Sequence, residues 1–150
     1  MPPPSPARPI VILMVEDNPT DVLIAKEGLL GAQLPNALHV ADDGVEAMDF
    51  LHQRGKYAEA PRPDLVLLDL NMPRKNGLEV LAEIKADDDL KTIPVIVLTT
   101  SKSAADVIKA RGLGADRYIS KPVDFDEFTK VVQLIQDFWS SPAAIPPVLK

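Results

Sequence analysis

The chain has 150 residues, 46% of them hydrophobic, and a net charge of −6. That length supports one domain with a proper core, and an acidic balance without any basic cluster argues against a nucleic-acid binder held by phosphate contacts. Cysteine is absent, and His39 and His52 are the two histidines. This removes disulfides and thiolate zinc sites and leaves little for a histidine metal site or a Ser-His triad. No stretch approaches the ~18 apolar residues of a membrane span, and Met1–Pro9 lacks the apolar core of a secretory signal. The expectation is a cytoplasmic protein with neither DNA nor membrane as partner.

Residues 1–9 are proline-rich and expected to be disordered or extended. Ile10–Val15 is a continuous apolar run, read as a buried strand that ends in Glu16-Asp17. Asn18-Pro19 looks like an N-cap followed by proline at the first helical position. The helix it opens is predicted to reach about Gln33, with Val22, Ala25, Leu29 and Leu30 on one face. Leu38–Ala41 reads as a short second strand, and Asp42-Asp43-Gly44 turns the chain into a helix carrying Val45, Met48, Phe50 and Leu51. The polar stretch Gln53–Pro63 is a loop of unusual length for such a unit.

Leu65–Leu68 has four apolar residues without alternation, the mark of a central strand buried on both faces. Asp69 follows it, and Asn71, Pro73 and Gly77 stop regular structure. A helix with Leu78, Leu81 and Ile84 at helical spacing comes next, and Asp87-Asp88-Asp89 is its solvated end. Ile93–Leu98 is the fourth strand, ending in Thr99-Thr100-Ser101. A weakly amphipathic helix over about Ser103–Arg111 stops at Gly112 and Gly114. Arg117–Ile119 is the fifth strand, followed by Ser120-Lys121-Pro122. Asp124 caps the last helix, whose apolar stripe is Phe125, Phe128, Val132, Ile135 and Trp139. Residues 140–150 carry three prolines and read as an irregular tail. The domain proper is thus predicted over residues 10–139.

Five β-α repeats imply an α/β fold: a five-stranded parallel sheet with helices on both faces, a flavodoxin-like three-layer (βα)5 sandwich. Right-handed crossovers favour the strand order 2-1-3-4-5. In a parallel sheet the residues just after each strand share one edge, where ligands bind. Here they are Glu16 and Asp17, Asp69, Thr99 and Lys121. Three crowded carboxylates cannot all stay ionised cheaply. A hard divalent cation resolves the conflict, and Mg²⁺ suits a site that combines carboxylates with phosphate oxygens. Asp69 can then act as a nucleophile toward a phosphoryl group, with the Lys121 ammonium and the Thr99 hydroxyl stabilising its oxygens.

These residues resemble the response-regulator receiver domain of two-component signalling. The matches are Glu16-Asp17 as the acidic pair, Asp69 as phosphoacceptor, Asn71-Met72-Pro73 and Gly77, Thr99, and Lys121-Pro122. Thirty residues separate Asp69 from Thr99 and 22 separate Thr99 from Lys121, as in the family. The resemblance covers about residues 10–139. It implies that Asp17 and Asp69 ligate Mg²⁺, that Asn71 adds its backbone carbonyl, and that Glu16 acts mainly through water. The family often has two aspartates where this chain has Glu16-Asp17. The resemblance further implies that Asp69 takes phosphate from a phosphohistidine on a sensor kinase, and that Thr99 and Tyr118 form a switch pair. The run Glu16-Asp17-Asn18-Pro19-Thr20-Asp21, the long loop, the Leu-Thr-Thr-Ser stretch and the aromatic end of the last helix resemble stand-alone regulators paired with phytochrome-type histidine kinases.

Each residue alone has a plainer reading. Asp69 would be a turn residue, Lys121 a surface lysine, Thr99 ordinary strand-end polarity, and Tyr118 a half-buried aromatic. Their common register carries the functional reading. The expectation is a single-domain response regulator with no output domain, signalling by a surface change on the face of helix 4, strand 5 and helix 5. Homodimerisation is expected through helices 4 and 5, with Phe138 and Trp139 contributing. A phosphorelay intermediate is the alternative. An aspartyl-phosphate phosphatase fits less well, because the position of its general acid is Asn71. A flavodoxin-like cofactor carrier lacks its phosphate loop after the first strand.

Overall fold

A computed structural model of the chain describes residues 9–32, 35–70, 77–99, 104–122 and 124–140. Five strands alternate with five helices: β1 (Ile10–Val15), α1 (Pro19–Leu30), β2 (Asn36–Ala41), α2 (Gly44–Leu51), β3 (Leu65–Leu68), α3 (Gly77–Ala86), β4 (Val95–Thr99), α4 (Ala104–Gly112), β5 (Arg117–Ser120) and α5 (Phe125–Ser140). All strand pairs are parallel, and the order is β2-β1-β3-β4-β5. This is the flavodoxin-like arrangement that the alternation predicts.

Strand periodicity divides the core into two layers. Leu13, Val15, Val66, Leu68, Val95 and Val97 face one way, onto Ala47, Met48, Val80, Leu81 and Ile84 of α2 and α3. Ile10, Ile12, Met14, Leu65, Leu67, Ile96 and Leu98 face the other, onto Ala25 and Leu29 of α1 and Phe128, Val131, Val132 and Ile135 of α5. Every residue of β3 is buried, which is why its sequence shows no alternation. Burial of each such side chain contributes about 1.5–3 kcal/mol. These two layers fix the strand ends, and so the site.

Helix ends follow their caps. The Asn18 side chain accepts from the N–H groups of Thr20 and Asp21, and Asp43 caps α2 through the N–H of Glu46. Asp124 likewise accepts from the N–H of Glu127. At the opposite edge of the sheet, the Asp64 carboxylate accepts from the N–H of Val11 at 2.8 Å, and Asp116 accepts from that of Val95 at 2.8 Å.

Several predicted details are corrected. α1 stops at Leu30, and Leu30 is 82% exposed, because a one-residue step from the buried Leu29 turns it about 100° away from the core. Val45 and Phe125, each in the first turn of its helix, are also exposed. β2 begins at Asn36, earlier than its apolar run suggests, because β1 supplies backbone partners from Ile10 onward. The long loop contains a short 3₁₀ turn, Gly55–Tyr57, whose tyrosine packs edge-on against Phe50. α5 continues one residue past the predicted boundary, to Ser140.

Candidate functional site

In-register parallel pairing places Val15 beside Leu68, so the residues that follow them emerge side by side. The Asp69 N–H donates to the Val15 carbonyl at 3.1 Å, and the Glu16 N–H donates to the Ala41 carbonyl at 3.0 Å. Both backbones are therefore still held by the sheet where their side chains turn to chemistry. Oxygens of Glu16, Asp17 and Asp69 lie within 4.8 Å of one another. Glu16 and Asp69 are buried and Asp17 is exposed.

Lys121 enters from the segment after β5. Its Nζ lies 2.9 Å from Glu16 Oε1, 2.9 Å from Asp21 Oδ2 and 3.3 Å from Asp69 Oδ2. Burial pushes the Glu16 carboxyl up to about 7, and the charge of Asp69 adds to the rise against the lowering effect of Lys121. Burial works against the Lys121 ammonium, yet its bonds to Asp21 and Glu16 hold its pKa above the ordinary lysine value.

Gly77 closes the site from behind. Its N–H donates to the Leu70 carbonyl at 3.0 Å. A Cβ at this position would overlap the carbonyl oxygen of Asp69, so the chain can pass this close to Asp69 only as glycine.

The predicted residues are distributed as follows. Glu16, Asp17, Asp69 and Lys121 are brought together at one sheet edge. Thr99 ends β4, paired with Ser120 of β5, but its side chain lies outside the described residues. Asn71 lies outside them as well, as do the side chains of Phe138 and Trp139. Tyr118 pairs with Val97 and packs, half-buried, against the core layer on the α2–α3 side. Asp21, in the first turn of α1, is the residue that sequence reasoning missed. An acid in a first helical turn is adequately explained by the helix dipole, so its contact with Lys121 had no signal of its own beyond its nearness to Glu16-Asp17.

The donor set fits a hard divalent cation. It consists of carboxylate oxygens only, three of them within 4.8 Å of one another, the ligand chemistry that hard divalent cations take.

Known proteins share this sequence pattern and fold. Residues 12–133 match the family model described as the response regulator receiver domain. Response regulator Rcp1 of Synechocystis sp. is 46% identical over 138 residues, which cover 92% of this chain and 94% of that protein. The crystal structure of its Mn²⁺-bound form superposes with a TM-score of 0.82, covering 92% of this chain and 99% of the other at 46% identity. The phosphorylated cyanobacterial phytochrome response regulator RcpA superposes with a TM-score of 0.84, at 44% identity and with 93% and 99% of the two chains covered. The chain is thus close to phytochrome response regulators and belongs to the response regulator receiver domain family.

Proposed function

We propose that this protein receives a phosphoryl group on Asp69 from a phosphohistidine of a sensor kinase, and that the kinase is of the phytochrome type. The observation that carries this reading is the Lys121 ammonium beside a buried Asp69 carboxylate, next to the acidic pair. An Asp69 oxygen forms the new O–P bond as the P–N bond breaks. The imidazole leaves with that electron pair and is neutralised by a proton. Mg²⁺ held by Glu16, Asp17 and Asp69, with the Asn71 carbonyl, would neutralise charge on the transferring oxygens when bound. Lys121 supplies a fixed positive charge on the same group, and the Thr99 hydroxyl a hydrogen bond. Similarity to phytochrome response regulators supports the choice of kinase.

Wild-type protein is expected to incorporate label from acetyl phosphate in a divalent-cation-dependent way, and Asp69→Asn to incorporate none. Label retained in that variant would place the acceptor elsewhere. Phosphotransfer from a panel of histidine kinases, phytochromes included, checks the partner.

The output is a population shift on the α4–β5–α5 face, coupled to the site through Thr99 and Tyr118. The same face serves a homodimer, to which Phe138 and Trp139 contribute. Exposed Ile108 on α4 and Phe125 on α5 support an interface there. Sedimentation should show a dimer at tens of micromolar; a monomer with and without a phosphoryl mimic would remove it.

A further inference from the structure

The Lys121 ammonium has three hydrogens to donate, and three carboxylates surround it. Two of these, Glu16 and Asp69, stand at strand ends. The third, Asp21, belongs to the first turn of α1 and approaches as closely as Glu16, at 2.9 Å. Their solvation differs. Side-chain exposure is 1% for Glu16, 4% for Asp69 and 18% for Asp21, against 12% for the lysine. A buried carboxylate that loses its cation is left uncompensated, whereas a partly exposed one recovers water. Asp21 is therefore the partner that can release the ammonium at least cost.

We propose that Asp21 is a positioning residue for Lys121, one that holds the ammonium in the unphosphorylated protein and yields it to the phosphoryl group arriving at Asp69. Asp21 competes with the incoming oxygens for the same donors and so slows phosphoryl uptake. It also ties α1 to the segment after β5 while the site is unphosphorylated, and that tie loosens on phosphorylation. The inference rests on Asp69 being the acceptor.

The test uses acetyl phosphate, from which an Asp69 oxygen takes the phosphoryl group while acetate leaves with the electron pair of the broken bond. Asp21→Asn should speed labelling by about fivefold and tighten binding of beryllofluoride by a similar factor, the ratio that corresponds to ~1 kcal/mol for a partly exposed ion pair. Glu27→Gln removes one negative charge from an exposed position of the same helix and should change the rate by less than about twofold, since exposed charges are well screened. In a Lys121→Met background, Asp21→Asn should have no further effect. Asp21→Ser serves as a second variant should the asparagine fail to fold. A rate equal to or below wild type in the folded variant overturns the proposal. So does an acceleration matched by Glu27→Gln, or one that survives loss of Lys121. Continued labelling of Asp69→Asn would instead overturn the choice of acceptor.

Discussion

At the scale of single residues, one ammonium among carboxylates governs the site. Glu16 is nearly inaccessible, and burial moves its carboxyl from the ordinary 4.5 up to about 7. A group whose folded pKa is raised contributes stability that is complete below its unfolded value and is lost as pH rises through the folded one. In metal-free protein, the Glu16 contribution should therefore disappear between about pH 4.5 and 7. Melting temperature measured across this window in chelator should decline with rising pH, and Glu16→Gln should flatten the decline. A slope unchanged by that substitution would assign it to other groups. Gly77 shows the same economy of space: the backbone of Asp69 leaves no room for a side chain behind it.

At the scale of elements, α1 and α5 close one side of the sheet by direct contact. A Cβ at Gly28 of α1 would overlap the ring of Phe128 of α5, so glycine here sets how near the helices come. Phe128 is 2% exposed and among the largest buried side chains. Phe128→Ala should cost about 3–5 kcal/mol and lower Tm by roughly 10 °C. Thermal unfolding by circular dichroism checks this, and a drop of only a degree or two would mean that the layer repacks around the void. The opposite layer is held at its far edge by Asp116, which accepts from the N–H of Val95 and pairs with Lys85 Nζ at 3.5 Å. That pair fixes the start of β4, and with it the place where Thr99 ends.

At the scale of the whole molecule, the fold gathers three carboxylates at one sheet edge, a place where a bound cation would add to stability. Mg²⁺ is expected to raise the melting temperature of wild-type protein, because a ligand that binds only the folded state stabilises it by mass action. Asp17→Asn should remove most of that rise, since Asp17 supplies one of the clustered oxygens while lying exposed, away from the core. A shift that persists in full would put the cation elsewhere. Among the described residues, no helix is long and apolar enough to cross a membrane.

The sequence by itself determined the order of elements, the strand order and the set of strand-end residues. These follow from local signals: buried apolar runs, caps such as Asn18-Pro19, and turn-forming glycines. Handed crossovers turn such a pattern into very few topologies. Tertiary structure alone decided what these signals leave open. Leu30 looks like a core residue and is solvated, because its exposure depends on where α1 meets α5. Asp21 looks like a helix-end acid and holds the Lys121 ammonium, 100 residues away along the chain. Contacts between distant segments are written in no local pattern. They arise only when the sheet register brings the strand ends to one edge.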